Sequence, residues 1–322
     1  MKNKQTEKKT SILPLTDMLL KEKNPEIYNR GEEGFNIYAS SMDASQQEKA
    51  RIIPFIRPGL VAEMGCGNGA VLELISNTFP QSQVFGFDIS DTLLQMSADR
   101  KYKNSNVTII KKDVREKIFE DDTLDTIVYC STLHEIYSYS GYNKHTLKQT
   151  LKNAYDMLAP GGRLVIRDGP KPEDELLYLR FKNQKTEEKF KKFSEEFGPY
   201  NIYYEETGEG FKLRSSDAME FLSKYIYEKN WVIEVKEQFA IYTPAQYAKE
   251  LENIGFKVIH NESYLIEWLK KTHYEKDIEV YRKNKDTGAV EIAPYPDSTM
   301  IIVAEKPIKA MSKLKNAYEV QP

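Results

Sequence analysis

The sequence predicts an α/β fold in which helices cover a mostly parallel sheet. Between residues 60 and 168, short apolar runs typical of strands alternate with helical patterns. A glycine-rich segment, residues 65–69, joins the first of these strands to the first helix. Repeated strand–helix units place successive strands side by side in one direction, so we expect a parallel sheet with helices on both faces.

The elements of this first half follow one another at short intervals. Strands are expected at residues 60–64, 83–87, 107–111, 124–130 and 163–167, and helices at residues 70–78, 92–99 and 147–158. An earlier helix is expected to begin near Asp43 or Ser45, because both side chains are common helix N-caps.

The regular alternation of strands and helices ends after residue 169. Residues 170–242 are rich in Lys, Glu, Tyr and Phe and predict a helical lid. The alternation returns with a helix capped by Thr243, a strand from Phe256, a second polar insertion at about 269–297 and a final strand at 299–305. We therefore expect an N-terminal arm with helices (1–45), a core (46–169), the lid (170–242), the completion of the core (243–308) and a tail (309–322).

Composition argues against several classes of protein. The 322 residues carry a net charge of −3, which disfavours a general polyanion binder. Two cysteines are too few for a disulfide framework. The N-terminal lysines are not followed by an apolar signal segment, and no run approaches the roughly twenty apolar residues that span a membrane. We expect a soluble cytoplasmic protein without a membrane partner, and the oligomeric state is left open.

The glycine segment predicts a ligand site. Gly65, Gly67 and Gly69 stand where a strand turns into a helix, and glycine lets a ligand approach the backbone closely. In open parallel sheets, ligands bind beyond the carboxyl ends of the strands. The letters from Gly65 to Ala70 also satisfy the dinucleotide pattern G-x-G-x-x-G/A, so two ligand classes compete at this point.

Four features in order separate the two classes. They are the segment Glu63–Gly69 (EMGCGNG), Asp88 at the end of the second strand, Asp113 after the third, and the turn LAPGGRL at 158–164. Together they resemble the class I S-adenosylmethionine-dependent methyltransferases. The resemblance is close over residues 50–168, and over residues 243–305 it is limited to the order of helices and strands. The resemblance implies a Rossmann-like, doubly wound, mostly parallel seven-stranded sheet with an antiparallel last strand, plus the helical lid insertion.

The resemblance also implies S-adenosylmethionine as the cofactor. Asp88 is then expected on both ribose hydroxyls, Asp113 near the adenine amino group and Glu63 near the methionyl ammonium. The residues expected to bind the cofactor are Glu63, Gly65, Cys66, Gly67, Asn68, Gly69, Asp88, Ile89, Asp113, Val114, Cys130 and Ser131.

The reacting end is expected beyond the fourth strand, in the run CSTLHEIY at residues 130–137. His134 is the candidate base, assisted by Glu135 or Tyr137. The alternative is a histidine that caps the next helix or lies beneath the cofactor. Cys130 lacks the proline that precedes a cytosine-C5 nucleophile and more readily lines the adenine pocket. No set of His, Cys and Asp has metal-ligand spacing in the sequence, so no metal site is predicted.

The resemblance implies methyl transfer to an oxygen or nitrogen atom. The N/D-P-P-Y motif of amide and adenine amino methylation is absent after strand four. We expect a small-molecule or peptide acceptor, with RNA, chiefly tRNA, as the alternative because residues 270–285 are mildly basic. A catalytically silent, cofactor-binding regulatory or scaffold subunit is the alternative of another class. Intact Glu63, Asp88 and glycine loop weigh against it.

Overall fold

The computed structural model of this protein describes residues 31–308. The expectations for most of the N-terminal arm and for the tail at 309–322 lie outside the described residues. Within 31–308, the helices are too short or too polar to cross a lipid bilayer.

Twelve strands are described. They are β1 (Leu60–Met64), β2 (Gln83–Asp88), β3 (Val107–Lys111), β4 (Leu124–Cys130), β5 (Leu158–Asp168), β6 (Leu176–Phe181), β7 (Glu205–Thr207), β8 (Gly210–Arg214), β9 (Lys257–Tyr264), β10 (Ile278–Lys283), β11 (Val290–Ile292) and β12 (Thr299–Glu305).

The α-helices alternate with these strands in the core and cluster between them elsewhere. They are α1 (Gly31–Ala44), α2 (Gln46–Lys49), α3 (Ala70–Thr78), α4 (Asp91–Asp99), α5 (Leu133–Ser138), α6 (Lys144–Met157), α7 (Gln184–Glu196), α8 (Ser215–Lys224), α9 (Trp231–Glu234), α10 (Pro244–Ile254), α11 (Glu267–Leu269) and α12 (Glu275–Asp277).

The main sheet has seven strands in the order β3-β2-β1-β4-β5-β12-β9. Strands β1 to β5 run parallel, whereas β12 is antiparallel to both of its neighbours, β5 and β9. This confirms the expected Rossmann-like fold class. The strand order reverses beside β1, because β2 lies on one side of it and β4 on the other. A crevice therefore opens beyond the carboxyl ends of β1 and β4, where ligands bind in such sheets.

Both insertions contribute to a second sheet. It has five strands in the order β11-β10-β6-β8-β7, and β6 of the first insertion pairs antiparallel with β10 of the second. Helices α7 and α8 add to its apolar cluster, which includes Phe190, Phe193 and Phe221. We call the two insertions together the lid domain. It carries the expected helices and, in addition, a sheet that the sequence patterns did not indicate.

The expected helix start near Asp43 or Ser45 is confirmed, because α2 begins at Gln46 with Ser45 as its N-cap residue. Helix α1 precedes it in the chain. The amide of Asn68, in the glycine segment, donates to the carbonyl of Ala39 and to Asp43 Oδ1, both at 3.1 Å. Arg100 binds the same Asp43 carboxylate at 2.5 Å. These contacts hold the end of α1 against the glycine segment.

Candidate active site

A cavity of about 300 Å³ lies beyond the carboxyl ends of the parallel strands. Its lining joins three parts of the chain. The core contributes the glycine segment and the residues after β2, β3, β4 and β5, α1 contributes Phe35 and Met42, and the lid domain contributes residues between Met219 and Phe239 and around Tyr274. The cavity therefore reaches from the predicted cofactor loop to the predicted lid.

The glycine loop has a shape that other residues rarely adopt. Gly65, Gly67 and Gly69 have φ angles of 81°, 51° and 80°. A Cβ at Gly65 would lie 2.5 Å from Thr132 Cγ2, and one at Gly67 would collide with the methyl group of Met42. Gly65 and Gly67 line the cavity with backbone that only glycine can supply here, and the close approach of a ligand to them stays a prediction.

Asp88 faces this loop from the end of β2. Its Oδ2 accepts a hydrogen bond from the backbone N–H of Gly67 at 2.9 Å, and its Oδ1 accepts from that of Ser90 at 2.9 Å. Asp88 and Ile89 both line the cavity. The backbone contacts fix the carboxylate at the position where the sequence analysis placed a ribose ligand.

Asp113 also lines the cavity, together with Val114. Its carboxylate is engaged by the Arg115 guanidinium, with Nη2 2.5 Å from Oδ2 and Nε 2.9 Å from each oxygen. A planar fork of this kind fixes a carboxylate strongly. Contact of Asp113 with an adenine amino group therefore stays a prediction that has to accommodate Arg115.

Glu63 is buried at the end of β1, and its Oε2 has no hydrogen-bond partner among the described residues. Burial raises the pKa of Glu63 to about 8, although the nearby Lys49 works in the opposite direction. Burial in turn lowers the pKa of Lys49, which lines the cavity from α2. An unpartnered buried carboxyl oxygen is unusual in a native structure and favours a missing cationic or hydrogen-bonding ligand.

The two thiols are unsuited to nucleophilic attack. Cys66 and Cys130 are both buried, and burial raises the pKa of each thiol above its ordinary value. Thiolates are the reactive form, and these surroundings disfavour them. Cys130 lines the cavity with Ser131, whose φ of 59° turns the chain sharply at the end of β4.

His134 lies at the start of α5 with its imidazole between two carboxylates. Nδ1 is 2.7 Å from Asp168 Oδ1, and Nε2 is 3.6 Å from Glu237 Oε2. Burial alone would disfavour the imidazolium, but Asp168 and Glu237 outweigh it and hold the pKa of His134 well above its usual range. The same contact with His134 lowers the pKa of Asp168 despite its burial.

The neighbours of His134 divide between the cavity and the core. Glu135 and Tyr139 line the cavity, and the Tyr139 hydroxyl donates to Glu237 Oε1 at 2.7 Å. Tyr137 belongs to the apolar core, where its ring meets that of Tyr142 edge-on at 5.9 Å. The helical turn thus brings Glu135 to the reacting end with His134 and directs Tyr137 elsewhere.

Among the cavity-lining residues that sequence reasoning missed are five with charged or hydrogen-bonding groups: Lys49, Tyr139, Arg167, Asp168 and Glu237. Arg167 and Asp168 are the last two residues of β5, and polar residues at the carboxyl end of a parallel strand were a usable signal. Glu237 lies in an irregular stretch of the lid domain, and no local pattern singled it out.

Comparison with known proteins gives one family and several distant relatives. Residues 62–164 match a family model described as a methyltransferase domain. A malonyl-[acyl-carrier protein] O-methyltransferase of Bacillus anthracis is 25% identical over 127 residues, which are 39% of this chain and 44% of that protein. A tRNA N(3)-methylcytidine methyltransferase of Drosophila melanogaster is 29% identical over 140 residues, 41% of each chain.

A solved S-adenosylmethionine-dependent methyltransferase from Mesorhizobium loti is 12% identical, with a TM-score of 0.49 over 82% of this chain and 99% of the other. The chain spans less than half the length of the two curated relatives it matches. The matched region includes the glycine loop, Asp88, Asp113 and His134, but not the lid domain.

Proposed function

We propose that the chain is a class I S-adenosylmethionine-dependent methyltransferase and that it transfers a methyl group to an oxygen or nitrogen atom of a small-molecule or peptide acceptor. The match of residues 62–164 to a methyltransferase domain supports the first part of this proposal. The observation that carries this proposal is the cavity that runs from the glycine loop and Asp88 to His134 and the lid domain. One end has the features of a cofactor site, and the other end brings together groups that can move or hold protons.

The residues present fit the cofactor. Gly65 and Gly67 line the cavity with bare backbone, Asp88 offers a fixed carboxylate, and Glu63 has an unpartnered buried oxygen. Asp88 would accept hydrogen bonds from the ribose hydroxyls and Glu63 would face the methionyl ammonium. Lys49 and Arg167 line the same cavity and are suited to the methionyl carboxylate. When bound, S-adenosylmethionine supplies a methyl group activated by a positively charged sulfur.

His134 is better suited to positioning than to proton abstraction. A histidine whose pKa is held well above its usual range carries its proton at neutral pH and cannot accept another. Its Nδ1 faces Asp168 and its Nε2 faces Glu237, which fixes the ring against the cavity wall. We assign to Glu135, half-buried on the cavity wall, the role of proton acceptor for acceptors that are protonated at the working pH.

The size of the cavity supports a small acceptor. Its volume of about 300 Å³ lies at the lower end of the range for small-molecule sites. Three of the six basic residues in the stretch that suggested RNA are paired with carboxylates: Lys270 with Glu275 at 3.8 Å, Lys271 with Glu267 at 3.1 Å and Arg282 with Glu291 at 3.1 Å. Cations that are already paired with carboxylates offer little to a phosphate backbone.

A label-transfer assay tests the proposal. The protein would be incubated with methyl-labelled S-adenosylmethionine and a fractionated cell lysate, with the Asp88→Ala variant as the matched control. Label in the metabolite or peptide fraction that depends on Asp88 supports the proposal. Label that is lost on nuclease treatment would favour RNA instead. Cofactor binding without label in any fraction would favour the silent subunit.

A further inference from the structure

We propose that His134, Glu135 and Glu237 bind a divalent transition-metal ion, Mn²⁺ or Zn²⁺, at the reacting end of the cavity. The sequence spacing did not indicate this site, because Glu237 lies in the lid domain, 103 positions after His134 by their residue numbers. The role of the ion, to hold an oxygen or nitrogen of the acceptor, rests on the proposed methyl transfer. Binding of the ion itself does not. With the ion bound, Glu135 serves as its ligand, and the ion takes over the role of Glu135 by making a bound acceptor hydroxyl easier to deprotonate.

The donor atoms are already gathered. One ligand atom from each of the three residues lies within 4.8 Å of the other two. His134 Nε2 and Glu237 Oε2 are 3.6 Å apart. Two adjacent ligands on one ion with bonds of about 2.1 Å lie about 3.0–3.4 Å apart. A small inward movement of the side chains therefore brings them to bonding distance.

Outer contacts hold the ligands in the required orientation. Asp168 Oδ1 lies 2.7 Å from His134 Nδ1, and its Oδ2 accepts from the His134 backbone N–H at 3.1 Å. With the Nδ1 proton directed to Asp168, the ion would take the place of the Nε2 proton, which is released to solvent on binding. The Tyr139 hydroxyl donates to Glu237 Oε1 at 2.7 Å and leaves Oε2 toward His134. A carboxylate on the far nitrogen of a ligating histidine is a recurring feature of metal sites.

The donor set selects the kind of ion. One imidazole with two carboxylates suits Mn²⁺ and Zn²⁺ better than Ca²⁺ or Mg²⁺, which take oxygen ligands. Three carboxylates, those of Glu135, Asp168 and Glu237, surround a single imidazole in this part of the cavity. All four residues line the cavity, so an ion bound here could also contact a molecule inside it.

An ammonium group of an acceptor is the competing occupant. It too is attracted by carboxylates, and it would donate hydrogen bonds to them. The compactness of the three donor atoms and the inward-facing Nε2 favour a metal ion over an organic cation. A binding experiment separates the two.

The experiment measures ion binding to the full chain without cofactor. After dialysis against EDTA, the protein would be titrated with MnCl₂ and ZnCl₂ by isothermal calorimetry, followed by thermal melting of the same samples. We expect one ion per chain and a higher melting temperature. Glu237→Gln and Glu135→Gln should each weaken binding about 10- to 100-fold. Glu135 is only half-buried, so its variant tests the site even if Glu237→Gln fails to fold.

Glu234→Gln is the matched control, because Glu234 is a buried carboxylate on the same cavity wall outside the cluster. It should leave the dissociation constant within twofold of the wild type. Equal weakening by the Glu234 and Glu237 variants would overturn the proposal, as would uptake of neither ion at millimolar concentration. Stabilisation by methylammonium but by neither metal would overturn it in favour of an amine acceptor. Because no cofactor is present, these outcomes are independent of the label-transfer result.

Discussion

Glu220 and Lys224 form an ion pair inside the protein, with Oε2 and Nζ 2.5 Å apart and neither side chain exposed to solvent. The Glu220 carboxylate also accepts from the backbone N–H groups of Phe239 and Ala240 at 3.2 and 2.6 Å. The ring of Phe239 in turn lies 4.1 Å from that of His134. The pair therefore connects helix α8 of the lid domain to the segment that carries Glu237.

Removing one member of this pair should lower the free energy of unfolding. Lys224→Met leaves the Glu220 carboxylate buried without its cation, and breaking a buried pair typically costs about 3–5 kcal/mol. Urea unfolding would measure the loss. Lys185→Met is the control, since the exposed pair of Lys185 with Glu228 contributes about 0–1 kcal/mol. Equal stabilities of the two variants would show that the buried pair does not anchor the lid domain.

Alanine should be tolerated differently at two glycines, one in the glycine loop and one outside it. Gly65→Ala places a Cβ 2.5 Å from Thr132 at a φ of 81°, a conformation that costs a non-glycine residue about 1–3 kcal/mol. We expect lower stability and at least a tenfold weaker affinity for S-adenosylmethionine. Gly208→Ala, where an added Cβ meets nothing within 4 Å, should change neither. Melting curves and calorimetry on both variants check this, and an unaffected Gly65 variant would remove the argument for close approach.

Asp88 should dominate the affinity for the cofactor. Hydrogen bonds to a charged group contribute about 1.5–3 kcal/mol, so Asp88→Ala should raise the dissociation constant of S-adenosylmethionine at least tenfold. Asp91→Ala is the control, because Asp91 is an exposed acid three positions on that pairs with Lys111. Equilibrium dialysis gives both constants. A value for Asp88→Ala within twofold of the wild type would reject the ribose assignment.

The pH dependence follows from Glu63. Its pKa is raised in the folded protein to about 8, above the ordinary 4.5, because burial favours the neutral acid. The stability that the neutral acid contributes is complete below about pH 4.5 and is lost as the pH rises through 8. A methionyl ammonium would favour the carboxylate, so affinity for the cofactor should rise from about pH 6 to pH 8.

Calorimetry across this range would measure the effect on cofactor affinity. The Glu63→Gln variant cannot ionise and should show a flat profile. If the wild-type profile is equally flat, the ammonium does not contact Glu63.

Substitution of His134 should lower turnover without weakening cofactor binding. If His134 positions the acceptor, His134→Asn should lower kcat by about 10²-fold or more at saturating S-adenosylmethionine, with little change in the dissociation constant of the cofactor. Single-turnover kinetics with an identified acceptor would measure it. Unchanged turnover would leave His134 with a structural role alone.

The core of the fold could be predicted from the sequence because its signals are local. Strands β1, β3, β4 and β12 occupy the expected residues, and the capping box of Thr243 and Gln246 begins α10 where its sequence indicated. The sheet of the lid domain could not be predicted in this way. Its pairing of β6 with β10 joins segments about a hundred residues apart, and charged residues around β6 favoured a helical interpretation.

The candidate site likewise combines residues that local motifs predict with residues that distant segments bring in. Asp88 and the glycine loop belong to short motifs at a fixed spacing, so the sequence could place them at one cavity, and their contacts with the cofactor stay a prediction. The partners of His134 are not local to it, since Asp168 ends another strand, β5, and Glu237 comes from the lid domain. The orientation of Tyr137 into the core depends on how α5 lies against Tyr142, which short spacing cannot reveal.

A crystal structure with S-adenosylhomocysteine would test the central claim most directly. The account predicts density across Gly65 and Gly67, with the ribose on Asp88, the methionyl ammonium near Glu63, and the sulfur directed toward His134 and the lid domain. Density elsewhere on the chain, or a nucleotide-like ligand bound through a pyrophosphate on the same loop, would contradict it.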